Sequence, residues 1–363
     1  MLRHRWPERC ILRHVSPFRP AAAATQPSRV WWYAFGYFAC YVPYSALTKW
    51  LSSASESYPH LQDGRVVPPL SGLELLPATV LASTVTMLVS FSALGFWRYP
   101  TQRRVGPLTL PWPTRFTFLS GLATALILLT TTLAYTFEGV SIPFVMLLMR
   151  GGVLLLAPIV DALSKRKVRW FSWIALGLSA LSLVDAVVSR GGREVPWLCA
   201  LDVLAYLGGY FLRLQLMSRL GKSDDPAVNR RYFAEEQMVA TPVALALLAL
   251  AAAFAPGALG EPLRRGFSGI LGDPRLRWAL LAGVFSQGTG VFGGLVLLDA
   301  RENTFCVPLN RAASILAGVA ASATMAALVG SHAPSGWELF GASLLVVAIF
   351  VLWLGGRAKA PAG

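Results

Sequence analysis

The stretch Ile142–Leu163, IPFVMLLMRGGVLLLAPIVDAL, constrains this chain more than any other. It is apolar over about the 20 residues that a helix needs to cross a hydrocarbon core. Near its middle stands Arg150, followed at once by Gly151 and Gly152. An arginine at that depth costs ~2.5–3.5 kcal/mol on insertion scales, so it faces a protein interior or a wet cavity. The glycines let another helix approach closely. The stretch Thr304–Val329 repeats the device, with Arg311 followed by Ala312 and Ala313.

Hydropathy divides the chain into ten such spans: 30–52, 73–97, 116–137, 142–163, 169–189, 196–217, 233–254, 278–298, 304–329 and 336–355. With 55% hydrophobic and only 14% charged residues, an ordinary soluble domain is excluded. The linkers are short. Glu138–Ser141 reads as a tight turn that makes spans three and four antiparallel neighbours. The loop 255–277 is expected to hold a short interfacial helix around Pro262–Leu271.

The net charge of +14 does not read as a nucleic-acid footprint, because the basic residues are scattered over many loops. They follow a topology instead. With the N-terminus cytoplasmic, 21 of the 32 Lys and Arg fall in inside segments, seven in outside loops and four within spans. That bias predicts a multi-pass protein with both termini cytoplasmic. Arg outnumbers Lys 27 to 5, which fits a GC-rich genome and leaves a bacterial inner membrane or a eukaryotic endomembrane open.

Five spans per half make the second half start on the opposite side from the first, which is the arithmetic of an inverted repeat. Spacing agrees. Gly121 and Gly283 are 162 apart, Arg150 and Arg311 are 161 apart, and Lys49 and Arg213 are 164 apart. Trp173 and Gly177 match Trp337 and Gly341, both at 164. The expected fold is all-α: a polytopic membrane protein whose ten transmembrane helices form two inverted five-helix repeats. Its divisions are a disordered basic tail over 1–29, repeats over 30–189 and 190–356, and a short tail over 357–363.

Arg150 either holds an anionic group in a central cavity or is locked to a fixed acid. Arg311 has the same two readings, with Asp299 and Glu302 near enough in sequence to neutralise it. Lys49 and Arg213 lie nearer span ends, where long side chains snorkel to the interface. Tyr41-Val42-Pro43-Tyr44 pairs a helix kink with polar-tipped aromatics, and Tyr44 is a candidate to line a pathway. Tyr135 in span three could reach a cavity, and Gln287 is the most pathway-like polar residue of span eight. Glu235 and Glu236 open span seven on the inside. Substrate-binding candidates are therefore Arg150, Arg311, Tyr44, Lys49, Tyr135 and Gln287. The histidines and the four cysteines are dispersed, and no zinc, nucleotide-phosphate or nucleophile motif occurs, so no cofactor, metal or enzymatic activity is expected.

The passage FVMLLMRGGVLLLAPIVDALSKRKVRWFSWIALGLSALSLV resembles the fourth-to-fifth-helix region of the drug/metabolite transporter superfamily, which includes the EamA-like exporters and nucleotide-sugar transporters. The features are Met149-Arg150-Gly151, the basic turn Lys165-Arg166-Lys167, and Trp173 with Gly177. The ninth span, with Arg311, Ala312 and Ala313, resembles its counterpart. The resemblance covers about 116–189 and 278–355. It implies ten helices in two repeats and gradient- or exchange-driven export of a small organic metabolite by alternating access. The four cations within spans lean the substrate toward an anion or zwitterion. The rival reading is a multi-pass protein without transport, handling lipid or regulating a partner. Small-molecule substrate and membrane lipid are the expected partners, nucleic acid is not, and a homodimer is left open.

Overall fold

The computed structural model describes residues 28–52, 60–62, 65–133, 142–188, 197–329 and 336–357. Eleven α-helices account for most of them. These are α1 Ser28–Ser52, α2 Gly72–Ala93, α3 Arg115–Leu133, α4 Ile142–Leu163, α5 Trp170–Val188 and α6 Trp197–Leu216. They continue as α7 Pro226–Phe254, α8 Gly257–Ser268, α9 Leu276–Leu297, α10 Asn303–Val329 and α11 Gly336–Arg357. The all-α expectation holds, and each of the ten apolar segments contains one helix. Two short antiparallel hairpins, β1 His60–Gln62 with β2 Arg65–Val67 and β3 Gln102–Val105 with β4 Leu108–Pro111, were not expected. The expected turn at Glu138–Ser141, Tyr135, and most of the two tails lie outside the described residues.

Two helices start earlier than hydropathy says, for local reasons. α7 begins at Pro226, not near 233, because the Asp225 carboxylate accepts from the Ala227 amide (2.8 Å) and proline occupies the first helical position. The short helix expected around Pro262–Leu271 is α8, Gly257–Ser268. It begins at Gly257, whose φ of 55° lets the chain turn out of α7 at once.

Five helices are long and apolar enough to cross a membrane: α2, α6 with the turn that follows it, α7, α9 and α10. Shorter apolar stretches occupy Arg115–Thr131, Trp170–Val184 and Leu339–Gly355. Leu155, Leu181, Leu204, Leu250 and Phe350 stand exposed on the outer surface, as a lipid-facing bundle requires.

With α8 set aside, most of the helix packing recurs when the helices of one half are exchanged for those of the other. α1 packs on α9 and α10, and its mate α6 packs on α3 and α4. α2 packs on α9 as α7 does on α3, while α5 meets α11, α4 meets α10 and α2 meets α7. Glycines 162 residues apart open two of these seams. A Cβ on Gly283 of α9 would lie 2.4 Å from the Thr79 carbonyl oxygen of α2, and one on Gly121 of α3 would lie 2.5 Å from Cβ of Val239 in α7. Only glycine permits either approach.

The connections gather at two ends. At one end Arg166 donates to the Ala300 and Ser218 carbonyls (2.8 and 2.9 Å), and Arg231 donates to Thr101 Oγ1 (2.7 Å). At the other, Leu70 N bonds Leu51 O (2.9 Å) and Arg275 Nη1 bonds Pro68 O (2.8 Å). Loops that hydropathy assigns to one side bond to loops of that same side.

Candidate functional site

Tyr37, Tyr41 and Tyr44 recur at the spacing that puts them on one face of α1. Tyr41 meets the other two edge to face, with ring centroids 5.5 and 5.7 Å away. The Arg150 Nη2 of α4 donates to Tyr41 Oη at 2.7 Å, and its guanidinium carbon lies 5.8 Å from that ring. The second half repeats the arrangement. Tyr206 and Tyr210, one turn apart on α6, have centroids 4.9 Å apart, and the Arg311 guanidinium of α10 stands 4.8 Å over Tyr210. Helix exchange thus converts one arginine–tyrosine pair into the other.

Arg150 is half-buried and Arg311 is 5% exposed. The two are near enough for each to feel the other's charge. Among the described residues neither meets a carboxylate, and Arg311 Nε and Nη2 are buried without a hydrogen-bond partner. Two such guanidiniums cost about 5–7 kcal/mol to insert. One charged hydrogen bond offsets ~1.5–3 and a desolvated cation–π contact about 2 kcal/mol. The tyrosines therefore orient the cations without neutralising them.

Beside this cluster a cavity of ≈ 180 Å³ opens between the halves. Tyr37, Tyr210, Arg213, Gln237, Gln287 and Asn310 give it polar walls, with Val80, Ile127, Leu128 and Leu297 as apolar ones. Gln287 Nε2 donates to Gln237 Oε1 at 3.3 Å. Arg213 is the guanidinium in the cavity wall, and it pairs with buried Glu236, which also accepts from Thr124 Oγ1 (2.6 Å). Arg311 touches the cavity through Tyr210. Arg150 is linked to it through Tyr41 and Tyr37.

The candidates thus separate. Arg150, Arg311, Tyr44 and Gln287 come together around one region. Lys49 is exposed in the last turn of α1 and lines no part of the cavity, although Arg213, 164 residues further on, does. The reason is local: α6 runs on into a π turn, Met217–Gly221, so Arg213 sits well inside the bundle and does not snorkel from an end. Glu235 does not line this cavity. Its carboxylate takes five donors, from the Thr101 amide and hydroxyl, the Thr114 amide, the Thr117 hydroxyl and Arg231.

Sequence reasoning missed Tyr206, Tyr210 and Asp161. Asp161 is wholly buried at the C-terminal end of α4, where a carboxylate opposes its own helix dipole. That misfit was the available signal. Asp161 serves another helix, accepting from the amides of Asn303 and Thr304 (2.8 and 2.7 Å) and from both their side chains (2.7 Å) at the start of α10.

No family model and no curated protein matches this chain. A solved structure described only as the crystal structure of a protein aligns with 89% of this chain and 98% of its own length, at 17% identity and a TM-score of 0.49. No functional statement follows from it.

Proposed function

We propose that this chain is a ten-span membrane transporter of the drug/metabolite kind, moving a small organic anion by alternating access. The observation that carries the reading is the pair Arg150 and Arg311. They are two guanidiniums within apolar helices, held by tyrosines and facing no carboxylate among the described residues. Ionisable groups at such depth belong to substrate or ion pathways more often than to scaffolds. The exchange of helix contacts between the halves, and the segregation of the loops into two sets, support an inverted repeat with the site at its centre. The adjoining cavity adds amides and hydroxyls, which suit a polar organic body behind the anionic group. The loops at the Arg166 end carry most of the basic residues, which supports reading that end as the cytoplasmic one.

The test is transport into proteoliposomes across a panel of carboxylates and phosphate esters. Wild type is expected to move members of that panel. Arg150→Ala and Arg311→Ala are expected to lose transport at least about tenfold, the effect of one lost charged contact. Full transport in both variants, or transport confined to cations, overturns the reading.

A further inference from the structure

The connection between α2 and α3 is larger than a turn requires. After a short 3-10 turn, Phe96–Arg98, it forms the hairpin β3–β4. The register sets Arg103 opposite Leu110 and Val105 opposite Leu108, and opposed residues share a face of a hairpin. Trp112 bonds through its amide to Thr101 O (2.7 Å), which continues that face, and Arg103 stacks over its ring at 5.5 Å. Val105, Leu108, Leu110 and Trp112 are all 40–62% exposed. This apolar face is not a loose loop. Glu235 grips both feet of the hairpin, at Thr101 and Thr114, and Gln102 Nε2 bonds Trp97 O at 2.9 Å.

At its foot two guanidiniums converge on one phenol. Arg98 Nη2 and Arg230 Nη1 each donate to Tyr99 Oη at 3.1 Å, and their guanidinium carbons lie 5.0 and 5.5 Å from its ring. Arg98 first, then Arg230, holds that phenol below its ordinary pKa. Arg104 stands exposed on the other face of the hairpin. No Asp or Glu occurs between Glu74 and Glu138. Of the acids near Arg230 in sequence, Asp225 caps α7. Among the described residues none of Arg98, Arg103, Arg104 and Arg230 forms an ion pair.

We propose that the β3–β4 hairpin and the Arg98–Tyr99–Arg230 cluster form a docking surface for the anionic phospholipid headgroups of the protein's own bilayer. The apolar face with Trp112 enters the headgroup–acyl boundary, where tryptophan and arginine anchors concentrate. The guanidiniums, already brought together, take the phosphates. Charge complementarity selects this occupant: an apolar face ringed by unpaired cations fits an anionic lipid surface. This inference rests on the membrane-spanning part of the reading above and not on transport.

The experiment uses the full chain lacking Cys10 and Cys40, in nanodiscs. An environment-sensitive fluorophore is placed at Leu108→Cys, or at Leu155→Cys on the exposed face of α4 as a control for spanning. Quenching is read with spin-labelled phosphatidylglycerol and spin-labelled phosphatidylcholine, and with iodide in the water. The label at 108 is expected to be shielded from iodide and quenched more by phosphatidylglycerol. Arg98→Gln with Arg230→Gln is expected to reduce that preference by roughly fivefold per side chain, the worth of one basic group at an anionic surface. A water-exposed label at 108 with a lipid-quenched label at 155 overturns the docking surface and leaves the spanning helices intact. Equal quenching by the two lipids overturns the headgroup site. Energy transfer between labels at 108 on two copies assigns the face to a dimer and overturns the proposal. A label at 155 open to water overturns the spanning reading instead.

Discussion

Arg213 and Glu236 show what a buried charge in this bundle costs. Both are buried, Arg213 Nε bonds Glu236 Oε1, and Glu236 Oε2 has no partner. Removing one member of such a pair leaves a bare charge and costs about 3–5 kcal/mol, whereas replacing both is far milder. Arg213→Gln is therefore expected to lower the unfolding midpoint in detergent sharply, and Arg213→Met with Glu236→Leu to recover most of it. A single variant as stable as wild type would show that the pair is not stabilised by mutual neutralisation. Arg150 and Arg311 differ in having tyrosine and not carboxylate as their neighbours. Arg150→Lys keeps the charge but loses the planar five-donor fork. Its expected outcome is weakened transport with unchanged folding, measured as substrate affinity in proteoliposomes beside thermal stability. Arg150 and Arg311 were legible in the sequence because a charge in an apolar run needs a complement, whether a fixed acid or a ligand. Tyr206 and Tyr210 were not, because a tyrosine in an apolar helix reads equally as core. Only the contact with Arg311 separates the two readings.

At the scale of elements, the ten helical segments were written plainly in hydropathy, while the hairpins and the start of α7 were not. Those depend on short-range chemistry: the Asp225 cap, the positive φ of Gly106 that turns β3 into β4, and the Glu235 clamp. The glycine seams lie between these extremes. The 162-residue spacing of Gly121 and Gly283 was visible, but their shared work, close contact of α3 with α7 and of α9 with α2, needs the fold. Valine at either position puts Cβ within 2.5 Å of the facing helix. Each is expected to cost ~1–3 kcal/mol through overpacking. The decisive measurement is thermal stability in detergent beside Gly177→Ala, whose Cβ would meet nothing within 4 Å. Comparable loss in all three variants would dissociate the seams from stability.

At the scale of the whole molecule, one end is clasped and its opening is the motion that a transporter needs. Glu302, just before α10, accepts two bonds from Arg169 (2.9 and 3.0 Å) and one from Ser172 Oγ (2.7 Å) at the start of α5. Arg166 ties the α4–α5 turn to Ala300 and to Ser218, and Asp161 holds the first residues of α10. These bonds join both halves, so they must break if that end is to open. Burial pushes the Glu302 carboxyl up, but the Arg169 and Ser172 bonds outweigh it and the net position is below the ordinary carboxylate range. A lowered folded value means that the clasp's contribution is complete above the unfolded pKa of about 4.3 and is lost as pH falls through the folded one. No loosening from this group is expected near neutrality. With spin labels at positions 167 and 219, pulsed distance measurements at neutral pH should give one short population in wild type. They should give a longer one in Glu302→Gln and in Arg169→Ala, and wild type at strongly acid pH should approach the Glu302→Gln distribution. Glu302→Arg with Arg169→Glu should restore the short population if the pair acts as a clasp. A short distance that survives in every variant would place the closure in helix packing instead, with Asp161 and the α4–α10 contact as the elements left to hold it.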